Sequence, residues 1–96
     1  MVMQAPLHPG VFITDVYLEP NGVTGRELAA TLGVTASTVC RVLQGSSRVT
    51  PKMALRLSKA IGNTPESWLA MQSQHDLWVA RKRIDLRGVG RLALAA

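Results

Sequence analysis

The sequence predicts an all-α domain built from five helices. Three observations lead there. A threonine stands directly before four segments with helical apolar spacing: Thr24, Thr35, Thr50 and Thr64. Threonine is a good N-cap because its hydroxyl accepts a hydrogen bond from a free N–H of the first turn. Proline follows two of these caps, at Pro51 and Pro65, where its missing donor and fixed φ suit a first helical position. Glycines close the segments at Gly33, Gly45 and Gly62, as C-terminal caps commonly require.

The first helix is expected from about Pro9 to Leu18, with Val11, Phe12, Val16 and Tyr17 as its apolar face and Pro20 and Gly22 as its stop. His8, just before it, reads as a local capping or packing residue. The second helix opens with a capping box, Thr24 and Glu27. Its inner face is Leu28, Ala29 and Leu32. The third runs from Ala36 to about Gln44, with Val39, Val42 and Leu43 inward. Residues 45–49, GSSRV, form a loop. The fourth ends before Gly62 and buries Met53, Ala54, Leu57 and Ile61. The fifth runs from Thr64-Pro65 to about Arg83. Its Trp68, Met71, His75 and Trp78 read as one stripe, and Leu69, Gln72 and Val79 as a second. One stripe covers the core and the other is left for a second chain. Whether each tryptophan is core or interface stays open at this stage. Residues 1–83 are read as the domain and 84–96 as a tail, partly ordered or ordered on association.

Ninety-six residues suffice for one domain with a single core. No apolar run approaches a membrane span, and the first ten residues lack the basic and apolar regions of a signal peptide. A single cysteine, Cys40, forms no internal disulfide and suits a reducing cytoplasm. A redox role for Cys40 is the weaker reading, because only Arg41 stands near to lower its pKa. Two distant histidines and one cysteine make no metal-ligand set, and no cofactor is expected. His75-Asp76 does not form a catalytic pair, since neighbours on a helix do not face each other. No nucleophile or acid–base constellation is present, so the chain is not read as an enzyme.

The formal charge of +5 is unevenly placed. Residues 1–23 hold Asp15 and Glu19 and no Lys or Arg, a net −2. Residues 24–61 hold six cations against Glu27, a net +5, and residues 62–96 hold five against three, a net +2. The excess coincides with residues 25–44, whose small residue at 29, glycine at 33 and branched aliphatics at 39 and 42 follow a helix-turn-helix pattern. Such a motif lays its second helix in a DNA major groove. The outward polar residues of that helix are Ser37, Thr38, Arg41 and Gln44, the expected base readers. Arg41 suits guanine, Gln44 suits adenine, and Thr38 also suits a thymine methyl. Arg26, Thr35, Ser46, Ser47, Arg48 and Lys52 flank them as expected phosphate contacts. Thr35 is double-valued, since its hydroxyl is also the cap.

Five helices with the motif at helices two and three resemble the lambda-repressor-like domain of the XRE family. His8-Pro9-Gly10, Leu18-Glu19-Pro20, Ala54-Leu55-Arg56-Leu57, and Thr64-Pro65-Glu66-Ser67-Trp68-Leu69-Ala70-Met71-Gln72 followed by Asp76-Leu77-Trp78 narrow this. In this order they resemble the HigA/VapI antitoxin family over about residues 8–83. Val11 departs from a frequent acidic residue, and Leu69-Ala70-Met71-Gln72 stands where Leu-Asn-Leu-Gln is usual. The resemblance implies a dimeric antitoxin that binds a HigB-type ribonuclease toxin of RelE-like fold and represses its own operon at palindromic double-stranded operator DNA. It implies a bacterial cytoplasmic, nucleoid-associated protein without a membrane partner. Alternatives are a solitary XRE-type repressor without a toxin, or a protein-interaction module that has lost DNA binding. The homodimer contact is expected at Trp78, Val79, Ile84 and Leu86. The acidic pair Asp15 and Glu19 is the expected toxin contact.

Overall fold

A computed structural model describes residues 5–95; residues 1–4 and Ala96, the outer ends of the expected domain and tail, lie outside it. Five helices follow one another, with no strand among the described residues. Helix α1 covers 9–21 in three stretches: an α-helical Pro9–Ile13, a π-helical Thr14–Leu18 and an α-helical Glu19–Asn21. Then come α2 (Gly25–Leu32), α3 (Ala36–Leu43), α4 (Pro51–Ile61) and α5 (Pro65–Arg83). The four threonines act as caps. Thr24, Thr35, Thr50 and Thr64 accept from the N–H groups of Glu27, Thr38, Met53 and Ser67. Of the capping box at α2, only the Thr24 half is made among the described residues.

Helix α1 departs from expectation in two ways. It continues through Pro20 and ends at Gly22, whose φ of +62° closes the last turn. A proline inside a helix lacks a donor and clashes with the carbonyl four residues back. The π stretch accommodates it: Glu19 N–H bonds to Thr14 O, five residues back, which widens the helix just before the ring. The wider turn also re-aims the apolar face. Ile13 and Leu18, five residues apart, are buried, whereas Val11 and Val16 are exposed. Phe12 and Tyr17 pack partly against the core.

The core gathers Ile13 and Leu18 of α1, Leu28, Ala29 and Leu32 of α2, Val39 and Val42 of α3, Val49, and Met53, Ala54 and Leu57 of α4 around Trp68 of α5. Leu43 and Ile61 border it. Trp68 is fully buried. Its ring meets Phe12 at 5.9 Å and Tyr17 at 6.1 Å, and its Nε1–H donates to Gly62 O at 3.1 Å, so the one polar atom of the indole is satisfied. The two stripes expected on α5 are regrouped. Trp68 and Gln72, expected on different stripes, point inward together, one helical turn apart. Beyond His75 the helix leaves the core. Trp78 and Val79 are half-buried, and every described residue from 80 to 95 is exposed. The tail holds one turn, Val89 N–H to Leu86 O at 2.9 Å, beside an Asp85–Arg87 ion pair.

Candidate nucleic-acid interface

The turn between α2 and α3 is set by Gly33, at φ +73°. Gly33 N–H bonds to Ala30 O and Val34 N–H to Ala29 O, the paired bonds of a glycine-closed helix end. Arg56 of α4 reaches across, and its Nη1 donates to Leu32 O at 2.6 Å. That guanidinium, counted above with the basic surface, ties a helix C-terminus whose carbonyls lack helical partners. Small Ala29, buried where α2 meets α3, keeps the two helices close.

At the other end of α3, Gly10 of α1 makes the closest approach. A Cβ built on Gly10 would lie 2.1 Å from Val42 O and 2.8 Å from Leu43 Cα. Only a bare α-carbon lets α1 press on that backbone. His8 supports the same junction. Its Nδ1 accepts from Gly10 N–H at 2.9 Å, capping α1. Its ring stands edge-on to His75 at 5.2 Å and faces Gly45, where an added Cβ would lie 3.7 Å from it. Burial, then the charge of His75, push the His8 pKa down, against Asp76 and a Ser47 backbone hydrogen bond, which raise it. His75 Nδ1 lies 3.0 Å from Pro6 O. His8 is therefore both cap and buried packing residue.

With α3 held at both ends, its outer face is presented to solvent. Ser37, Arg41 and Gln44 are exposed, and Thr38 is half-buried with its hydroxyl 2.8 Å from that of Thr35. The Thr35 hydroxyl thus serves both the Thr38 N–H and the Thr38 side chain. Arg26 and Lys52 are exposed. Ser46 is exposed, and its N–H and its hydroxyl both donate to Arg41 O, joined by Ser47 N–H. Arg48 is paired with Asp76 at 2.6 Å. The pairing roles of Asp76 and Gln72 and the capping role of Arg56 are not legible in the sequence. Their partners lie 23 to 28 residues away, beyond any local pattern. The faint available signal was the four-residue spacing of Gln72 and Asp76, which puts them on one face.

The sequence profile of the helix-turn-helix family matches residues 17–69. Antitoxin HigA-1 of Vibrio cholerae is 40% identical over 78 residues, covering 81% of this chain and 73% of that protein. The chain belongs to the HigA family of helix-turn-helix antitoxins. Members of this family are DNA-binding antitoxins or regulators, not enzymes. The solved antitoxin GraA superposes with a TM-score of 0.88 at 34% identity, over 94% of this chain and all of that one. Pseudomonas aeruginosa antitoxin HigA, solved with the higBA promoter, superposes at 0.77 with 28% identity, over 80% of this chain and 84% of that one. Among the described residues no group of His, Cys, Asp or Glu stands together as a metal site, and no helix is long and apolar enough to cross a membrane.

Proposed function

We propose that this HigA-family chain is the antitoxin of a type II toxin–antitoxin pair. It binds a HigB-type ribonuclease toxin and, as a homodimer, represses its own operon from the bacterial cytoplasm. The observation that carries the reading is the outer face of α3. Exposed Ser37, Arg41 and Gln44 stand on a helix-turn-helix whose fold matches an antitoxin solved with promoter DNA. A guanidinium such as Arg41 meets guanine O6 and N7 with two parallel bonds, and an amide such as Gln44 meets adenine likewise. Thr38 offers its methyl to thymine. Arg26, Lys52, Arg48, Ser47, Ser46 and the Thr35 hydroxyl hold the flanking phosphates, and the net charge of +5 over residues 24–61 draws the duplex in.

One recognition helix reads too few bases for tight binding, so two act on a palindrome about 34–36 Å apart. Trp78, Val79, Ile84 and Leu86 form the contact between copies. The toxin docks on the acidic start of the chain, where Asp15 and Glu19 are exposed on α1, leaving the basic face to DNA.

The test is co-expression with the product of the adjacent gene, followed by binding to the operon's own promoter. A stable complex and growth rescue are expected, and both should fail for the double variant Asp15→Lys, Glu19→Lys if α1 is the docking face. Arg41→Ala should lose ~1–3 kcal/mol on the promoter while random duplex is barely affected. Equal loss on both would remove Arg41 from base readout. Promoter binding without any toxin partner would make the chain a solitary repressor.

A further inference from the structure

The loop leaving α3 is anchored at its far end by a closed ring of hydrogen bonds. Gln72 of α5 is 2% exposed. Its Oε1 accepts from Val49 N–H at 2.7 Å, and its Nε2 donates to Asp76 Oδ1 at 2.9 Å. The second carboxylate oxygen, Oδ2, accepts from Arg48 Nη2 at 2.6 Å. Arg48 and Val49 are covalent neighbours, so backbone, buried amide, carboxylate and guanidinium complete a circuit. A buried amide left without partners would be costly. Here both ends of the amide are used, and one of them orients a carboxylate.

An exposed ion pair alone contributes little and is screened by salt. This one differs because its carboxylate is held from below. The Arg48 side chain is 66% exposed and that of Asp76 42%, so both are open to a ligand. Asp76 takes one guanidinium N–H, and a guanidinium has others to give. A long side chain already ordered loses less entropy when it binds a phosphate.

We propose that Asp76 is a positioning residue for DNA binding: oriented by Gln72, it holds the Arg48 guanidinium at the end of the recognition-helix loop so that its remaining N–H groups meet a backbone phosphate. This rests on the reading of Arg48 as a phosphate contact. The sign of the effect separates positioning from bare charge. A carboxylate near a phosphate repels it, so charge alone makes removal of Asp76 tighten binding. Positioning makes its removal weaken binding.

The experiment uses the full chain and a duplex that the wild-type protein selects from a randomised pool, titrated by fluorescence anisotropy over a salt series. Asp76→Asn keeps the shape and an oxygen for the Gln72 amide. Its affinity should fall roughly three- to tenfold, the loss expected from one side chain that must now be ordered on binding. In an Arg48→Ala background the same substitution should do nothing further, because coupled residues are not additive. Unchanged or tighter binding by Asp76→Asn, or losses that simply add, would overturn the inference. Asp76→Glu is the second variant should Asp76→Asn disturb the helical circular dichroism. It keeps the charge and displaces the carboxylate by a methylene, so weaker binding supports positioning and wild-type binding rejects it. Arg48→Ala with unchanged affinity and salt slope would remove the phosphate contact and this inference together. A costly Arg48→Ala beside a neutral Asp76→Asn would leave the contact standing and reject only the role of Asp76.

Discussion

Gly10 shows how much can depend on one missing atom. Two effects oppose each other in Gly10→Ala. Alanine is the better helix former by about 1 kcal/mol. Its methyl, however, would meet Val42 O at 2.1 Å, and the obstacle is backbone, which cannot rotate aside. The steric term wins, so the variant should lose roughly 2–3 kcal/mol in urea unfolding. Because the clash is with the end of α3, DNA binding should suffer beyond the stability loss, as the recognition helix is pushed from its seat. A variant of wild-type stability would show that α1 does not press on α3.

At the scale of elements, each helix is held by its cap, and among the described residues the cap of α1 is the titratable one. His8 Nδ1 accepts the Gly10 N–H, so that nitrogen must be unprotonated. The depressed pKa agrees, with burial as its first cause. The unfolded chain, whose histidine titrates near the ordinary value of 6.5, then binds the proton more readily than the folded one. Stability therefore rises with pH through this window. The His8 contribution is complete above about 6.5 and is lost as pH falls through the lowered folded value. The charge of His75 on the facing helix adds to the lowering, and Asp76 opposes it. Thermal midpoints between pH 7.5 and 5 should fall for the wild type. They should fall less for His8→Asn, a non-titrating side chain that also caps well. Parallel pH profiles for the two proteins would exclude His8 as the source.

For the whole molecule, apolar surface is left at one end. Ile84 and Leu86 are 57% and 59% exposed, and Val89, Leu92 and Leu94 are exposed more still. Trp78 is half-covered, by Lys82 Nζ 3.8 Å above its ring. Exposed apolar side chains in such number are the material of an association site, and large aromatics commonly anchor one. Sedimentation at tens of micromolar should show a dimer for the wild type and a shift toward monomer for Trp78→Ala. Cooperative promoter binding should weaken with it, because half-sites are bridged only by a dimer. A wild-type monomer, or a Trp78→Ala variant that dimerises normally, would place the contact elsewhere.

Local chemistry determined most of the architecture. Caps at Thr24, Thr35, Thr50 and Thr64, the turn at Gly33 and the inward sets of α2, α3 and α4 depend on neighbours within one helical turn, so they were legible residue by residue. The outward polar face of α3 followed from the inward one. Only tertiary structure decided the rest. The π turn in α1 resolves a conflict between Pro20 and a helix that must continue, and by doing so it exchanged Val11 and Val16 for Ile13 and Leu18 as core residues. The pairing of Trp68 with Gln72 depended on what α5 meets, because its apolar residues spread over several faces and periodicity could not choose among them. Arg48 reads locally as a phosphate contact and Arg56 as basic surface, and neither shows the partner that folding brings from more than twenty residues away, Asp76 for Arg48 and Leu32 O for Arg56. Side chains that cap or pair across the fold leave no local period, which is why the helices could be read from the chain and the circuit beneath its recognition helix could not.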